Sequence, residues 1–213
     1  MKTPLWTPSE QRKQDANITR FMREVSARHK LNLDSYSDLY QWSVENIPDF
    51  WVQMWDFVEI KASKHYDSVV MDVSVFPGAK WFPGAKLNFA ENLLRYRDDH
   101  LAFVFIGEMQ TSKRMTYAEL YESVARLAHS LKESGVGVGD RVVGYMPNLI
   151  ETVICMLAAA SLGAIWSSCS PDFGVEGVLD RFGQIEPKLL ITVDGYWYNG
   201  KAIPILDKVA AIA

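Results

Sequence analysis

Between residues 141 and 193 the chain alternates short β-type apolar runs with helix-length segments, and this alternation limits the possible folds more than any other feature of the sequence. Residues 141–146 (Arg-Val-Val-Gly-Tyr-Met) are a run with strand character; Pro147 and Asn148 break it, and residues 149–162 follow with helix formers that are apolar on most faces. A helix apolar nearly all round has to be buried. Gly163 terminates it, residues 164–166 form the next strand, and Ser170, Pro171 and Asp172 supply N-cap and first-turn chemistry for a helix reaching about Ile185. Glu186 and Pro187 stop that helix, and residues 189–193 (Leu-Leu-Ile-Thr-Val) make a third strand. Strands separated by helices of this length are joined by right-handed crossovers into a parallel sheet. The sequence therefore predicts a three-layer α/β unit over residues 101–193, with 141–146 and 164–166 as inner strands. Ligands of such sheets sit beyond the carboxyl ends of the strands, so a site is expected in the loops after Met146, Trp166 and Val193.

Composition narrows the function classes. A hydrophobic content of 48% over 213 residues is enough for a sizeable core. The formal net charge of −4, without a run of five like charges, argues against a nucleic-acid or anionic-membrane surface. The longest apolar run, residues 153–166, is too short to span a bilayer, and the opening residues lack the apolar core of a secretory signal. A cytoplasmic location is expected. Cys155 and Cys169 are read as free thiols, since nothing suggests a small secreted scaffold.

Upstream lies an aromatic, helical leader. Ser9 caps a predicted helix over residues 10–29, with Ile18, Phe21, Met22 and Val25 on one stripe. Further helices start near Ser37 and Pro48, and Trp42, Phe50, Trp51, Trp55 and Phe57 are expected to form a core. The pentapeptide Phe-Pro-Gly-Ala-Lys occurs at 76–80 and again at 82–86, each copy marking a tight turn, and a short helix follows at 87–94. A change in composition at Asp98 and Asp99 sets the expected boundary, giving a leader (1–98) and an α/β part (99–213). The latter opens with a buried strand (101–106), a polar hairpin loop (107–113) and a return strand at Arg114 and Met115. Thr116 and Glu119 form a capping box for a helix that Gly135, Gly137 and Gly139 terminate.

Motifs for autonomous chemistry are missing. The four histidines are scattered without metal-ligand spacing, and no Gly-x-Ser-x-Gly elbow is present. Residues 195–201 match Gly-x4-Gly-Lys, but Ala202 stands where a phosphate loop needs a magnesium-binding hydroxyl, Tyr196, Trp197 and Tyr198 are too bulky for an amide nest, and the next helix is expected only at Pro204.

Four segments in order carry a resemblance to the acyl-adenylate-forming enzymes, and within them to the acetyl-CoA synthetase-like ligases. Residues 40–46 with Phe50, Trp51 and 55–57 resemble the leader of those ligases, and 81–94 the segment after it. Residues 115–120 and 158–173 are similar to the first two core motifs of the adenylate formers. The resemblance covers about residues 42–201 and implies the first part of the large adenylate-forming domain. It implies activation of an acid by ATP with Mg2+ to an acyl-adenylate, releasing pyrophosphate, and then attack by the CoA thiol, releasing AMP. The loop Ser167, Ser168, Cys169, Ser170, Pro171, followed by residues 172–174, and the stretch 178–188 are similar to members that activate acetoacetate. Acetate, propionate or butyrate is the alternative acid. A non-catalytic α/β module that binds CoA or a nucleotide is the alternative from another class.

The resemblance also implies a role in fatty acid and lipid metabolism, with small-molecule partners only (acetoacetate, ATP, CoA). For CoA it points to Lys201, the retained one of two basic positions whose other member is Tyr198 here, and to Ser167 and Ser168 along the pantetheine. The family's phosphate loop, adenine motif and C-terminal domain with its lysine are expected beyond Ala213. No catalytic residue and no metal ligand is therefore expected in these residues, and the fragment alone is expected to be inactive. The aromatic residues of the leader are expected to be unusually exposed or held by another copy of the chain, because in the family the leader packs partly on a second sheet.

Overall fold

The computed structural model describes residues 5–108 and 112–213. The extreme amino terminus and the middle of the expected hairpin loop at 107–113 lie outside the described residues. Two compact units divide between Lys86 and Leu87.

The first unit carries α1 (Glu10–Gln14), α2 (Asn17–His29), α3 (Tyr36–Glu45) and α4 (Ile47–Phe57). Ser9 caps α1 through the Arg12 amide, as expected, but the single helix predicted over 10–29 is two. Ala16 is extended at φ −68° and ψ 138°, and the Thr19 hydroxyl donates to the Lys13 carbonyl across the break. Phe21, Val25, Leu39 and Trp42 are buried together, with the rings of Phe50 and Phe57 edge-on to Phe21. Trp55 is buried against Tyr66 and Phe82, whereas Trp51 stays 40% exposed and Phe76 97%. The aromatic density of the leader thus divides into a real core and an exposed remainder.

The second unit starts with α5 (Phe89–Leu93), followed by an antiparallel pair, β1 (Leu101–Phe105) and β2 (Lys113–Thr116). The division falls earlier than the Asp98 and Asp99 boundary predicted from composition. Ala90 and Leu94 belong to the core formed by α6 (Tyr117–Glu133) and α7 (Ile150–Ser161), and the Asn88 side chain, which caps α5, donates to the Ala160 carbonyl at 2.8 Å. β1 is not the buried strand the sequence suggests. It pairs only with β2 among the described residues, which leaves Val104 52% exposed. The capping box of α6 is present in full, Thr116 and Glu119 each receiving the other's backbone amide.

β3 (Arg141–Tyr145), β4 (Ile165–Cys169) and β5 (Leu189–Thr192) form a parallel sheet in the order β4-β3-β5. Side chains alternate between its faces. Val142, Trp166, Leu189 and Ile191 join the α6 and α7 core, and Val143, Tyr145, Cys169 and Leu190 join the core containing Val178 and Phe182 of α8 (Val175–Gly183) and Val209 of α9 (Leu206–Ile212). The result is the expected three-layer arrangement. β4, however, is an edge of this three-stranded sheet, and it runs on to Cys169 where the sequence suggested a strand only as far as Trp166. α8 is capped at Gly174, not at Ser170, because residues 170–174 are held in an irregular connection by contacts described below.

The chain after β5 departs most from expectation. Residues 195–204 are a hairpin, β6 (Gly195–Tyr198) paired with β7 (Lys201–Pro204), and α9 begins only at Leu206. Asn199 and Gly200 at the tip have φ of +50° and +72°, the left-handed pair that a two-residue hairpin turn requires.

Candidate functional site

The carboxyl ends of β3, β4 and β5 are Tyr145, Cys169 and Thr192, and the loops that leave them come together. A cleft of about 740 Å³ opens beside the ends of β3 and β5. Asn148 and Leu149 line it from the loop after β3, Asp194, Tyr196 and Trp197 from the chain after β5, and Glu108 from the chain after β1. Short polar ties hold the chain segments beside it. Thr192 donates its hydroxyl to the Tyr145 carbonyl at 3.0 Å, and Thr152 donates to the Pro147 carbonyl at 2.7 Å.

The connection after β4 is held from three sides. The fully buried Tyr145 hydroxyl lies 2.9 Å from the Pro171 carbonyl and 2.7 Å from that of Phe173. Lys208 of α9 donates to the same Pro171 carbonyl at 3.2 Å, and the Arg181 guanidinium lies over the Phe173 ring at 4.2 Å. The Asp172 carboxylate acts electrostatically on Tyr196 of β6. Burial pushes both tyrosine hydroxyls above their ordinary value, with Asp172 adding to the effect at Tyr196. Both tyrosines are therefore protonated donors at neutral pH.

The hairpin tip has a different character. In a turn of this type the amides of the two central residues point away from the ladder. The Asn199 amide donates to Oε1 of Glu108 at 3.1 Å and the Gly200 amide to Oε2 at 2.8 Å, so one carboxylate is gripped by two adjacent amides. Lys201, the next residue, is exposed at the start of β7.

The residues expected to meet CoA do not form one cluster. Lys201 stands at the hairpin, whereas Ser167 and Ser168 are part of β4, opposite Val143 and Gly144 of β3. Ser168 is exposed and Ser167 half-buried, and none of the three lines the cleft. The loop that was expected to present the serines is a strand instead, since Ser167 and Ser168 continue the ladder with β3 to Cys169.

The sequence assigned no site role to Glu108 or Tyr145, and read Asp172 only as first-turn chemistry and Tyr196 only as bulk. The Asn-Gly dipeptide at the tip was a readable hairpin signal; Glu108, 91 residues from Asn199, had none.

Other chemistry is limited by the same geometry. The Gly-x4-Gly-Lys stretch is not a nucleotide phosphate loop, because it is a hairpin in which Lys201 opens a strand and no helix starts before Leu206. Gly137 and Asp140 of the glycine-rich turn are structural. The Asp140 carboxylate accepts the Gly137 amide and the Lys188 ammonium, each at 2.8 Å, and the lysine bond holds it below the usual carboxylate value. Cys155 and Cys169 are free and buried, and burial raises both thiols, which does not suit a nucleophile. Among the described residues no group of three or more His, Cys, Asp or Glu could hold a metal ion. No helix among the described residues is long and apolar enough to cross a membrane.

Comparison with known proteins gives this geometry a context. Residues 36–93 match the acetyl-coenzyme A synthetase N-terminus and residues 89–212 match the AMP-binding enzyme family. The chain is 47% identical over 209 residues to acetoacetyl-CoA synthetase of Danio rerio, covering 96% of this chain and 31% of that protein. It is 44% identical over 210 residues to the acetoacetyl-coenzyme A synthetase of Rhizobium meliloti, covering 99% and 32%. A malonamoyl-CoA synthetase of Penicillium aethiopicum is 39% identical over 199 residues, covering 90% and 28%. Among solved structures, acetoacetyl-CoA synthetase from Streptomyces lividans superposes with a TM-score of 0.92 at 43% identity, covering 99% of this chain and 33% of that one. The chain thus spans about a third of the length of the relatives it matches. Through the match over residues 89–212, more than half of its length, the chain belongs to the AMP-binding enzyme family.

Proposed function

We propose that these residues are the first third of an ATP-dependent acid–thiol ligase that converts acetoacetate and CoA to acetoacetyl-CoA. The acid's carboxylate oxygen attacks the α-phosphorus of ATP and pyrophosphate leaves. The CoA sulfur then attacks the acyl carbon and AMP leaves. The single observation that carries this reading is the near-complete alignment of the chain to acetoacetyl-CoA synthetases from vertebrates and a bacterium. The malonamoyl-CoA synthetase relative supports a second reading within the class. Acetoacetate and malonamate both carry a carbonyl two carbons from the carboxylate, so the acid pocket would recognise that carbonyl.

In this reading Lys201 meets a phosphate of CoA at the hairpin, while Ser167 and Ser168 follow the pantetheine along the β4 edge. ATP and Mg2+ are required by the whole reaction. A cytoplasmic location and a role in lipid metabolism go with the proposal.

The test is acid-dependent release of pyrophosphate by the gene product that carries these residues, with acetate, propionate, butyrate, malonamate and acetoacetate compared. Acetoacetate is expected to give the highest kcat/KM, and a preference for acetate would overturn the assignment. Lys201→Glu in the same protein is expected to raise KM for CoA while leaving acetoacetate-dependent pyrophosphate exchange unchanged. An unaltered CoA dependence would show that Lys201 is a solvated surface residue without contact to CoA.

A further inference from the structure

The grip of two backbone amides on Glu108 is unusual for an exposed carboxylate. Glu108 lies 91 residues from Asn199 and 92 from Gly200, so the contact is a tertiary one that the chain had to build. Asn199 and Gly200 present consecutive amides because both are left-handed, and such a pair is a concave seat for an anion. Lys201 follows directly and is exposed, and the described residues give it no ion-pair partner. The seat therefore has two oriented donors, a lysine follows it in sequence, and its present occupant is an anion from the protein itself.

We propose that Glu108 is a resident competitor at this seat. In the CoA-free protein its carboxylate fills the site made by the Asn199 and Gly200 amides beside Lys201, and it yields that place to the phosphate monoester of CoA. The proposal rests on the assignment of CoA to the hairpin made above. The monoester is the matching group. It carries close to two charges and three acceptor oxygens, against a single charge on each phosphate of the CoA diphosphate bridge. A carboxylate with two oxygens is a partial mimic of it and satisfies both amides while the site is empty. The exchange has a direction. While Glu108 is seated, an incoming phosphate meets a like charge and finds both amides taken. Once Glu108 has swung out, the same amides are free for the phosphate, and Lys201, next in sequence and exposed, is free to turn toward it.

Glu108 also lines the 740 Å³ cleft at the ends of β3 and β5. Its departure from the seat therefore alters the wall of that cleft as CoA arrives. Glu108 accordingly sets the affinity for CoA without touching the reacting atoms, which makes it a specificity-setting residue and not a catalytic one.

The experiment is titration calorimetry of the protein and its Glu108→Ala and Glu108→Gln variants with CoA and with dephospho-CoA, which lacks the monoester. Removing the competitor is expected to lower Kd for CoA about threefold in Glu108→Ala, the scale of an exposed charged contact. Glu108→Gln, which keeps one acceptor oxygen but no charge, is expected to show a smaller fall in the same direction. Kd for dephospho-CoA is expected to stay the same in all three proteins. A Kd for CoA that is unchanged or rises in Glu108→Ala would show that the carboxylate is only a strut for the hairpin. An equal fall for both ligands would show that the seat does not read the monoester, and failure of the unaltered protein to bind CoA would remove the ligand altogether. Acetoacetate-dependent pyrophosphate exchange, measured on the same samples, reports separately on the ligase assignment. Its absence with the calorimetric pattern intact would retain the seat and reject the substrate.

Discussion

Tyr145→Phe isolates the contact that holds the connection between β4 and α8. The substitution deletes one oxygen and leaves the ring volume, so packing in the core around Val143, Val178 and Phe182 is retained. The lost hydroxyl is fully buried and lies within 2.9 Å of the Pro171 carbonyl and 2.7 Å of the Phe173 carbonyl. A hydrogen bond contributes about 0.5–1.5 kcal/mol net, and a buried carbonyl left without its partner costs about 1–3 kcal/mol. Lys208 continues to serve the Pro171 carbonyl at 3.2 Å, which places the expected loss in the lower part of that range, at about 1–2 kcal/mol. For a chain of this size each kcal/mol moves Tm by about 2–4 °C, so thermal unfolding followed by circular dichroism at pH 7 should show a fall of about 2–8 °C. The pH dependence supplies a second signature. Burial raises the Tyr145 hydroxyl above its ordinary value near 10, so its stabilising contribution is complete below about pH 10 and disappears as pH rises through the folded value. The gap between the two proteins should therefore narrow above pH 10. A Tm within about 1 °C of the parent at pH 7 would show that the two carbonyls do not depend on this hydroxyl and would refute the reasoning.

Gly144→Ala should cost about 1–3 kcal/mol by urea unfolding, because the added Cβ would sit 2.6 Å from two ring carbons of Trp166; Gly137→Ala, whose Cβ meets nothing within 4 Å, is the matched control and should be nearly neutral. Asp140→Asn should flatten the acid limb of stability: the bond from Lys188 holds the Asp140 carboxylate below its ordinary value, so its contribution is present above about pH 4 and is lost as pH falls, and equal acid limbs in the two proteins would contradict this. A protein limited to residues 1–213, given ATP, magnesium, acetoacetate and CoA, should release no pyrophosphate above a blank, since the one stretch resembling a phosphate loop is a hairpin; release abolished by Lys201→Ala would mean the active site had been misplaced.

The parts of the fold that were legible in the sequence are those whose cause is local. The β3, α7, β4 alternation shows because apolar runs are separated by strong breakers at Pro147, Asn148 and Gly163, and the capping box at Thr116 and Glu119 is a contact between near neighbours. The parts that were not legible depend on partners distant in sequence or on weak local signals. Ser167, Ser168 and Cys169 have no strand-like apolarity, yet β3 supplies a ladder for them. The break at Ala16 has neither glycine nor proline to announce it. At residues 195–204 a glycine-lysine pattern obscured the stronger Asn-Gly turn signal between two β-type runs. For the candidate site, Lys201, Ser167 and Ser168 came from resemblance, whereas Glu108 and the tyrosine clamp emerge only when strands far apart in the chain are brought side by side.

The strand order β4-β3-β5 also bears on how the chain matures as it is synthesised. The central strand leaves the ribosome first, and its two edges are satisfied in sequence, β4 before β5. Thr192, at the end of β5, lies 47 residues after Tyr145, which at about 5–20 residues per second leaves one edge of β3 open for about 2–9 s. During that interval the strand that ends as the best-buried segment of the molecule, with Val142, Val143 and Tyr145 all at 0% exposure, is an apolar ribbon with free backbone donors and acceptors. The nascent protein is most open to off-pathway association in this interval, and the crossover helices α7 and α8, both complete before β5 appears, are the elements that can cover its two faces in the meantime.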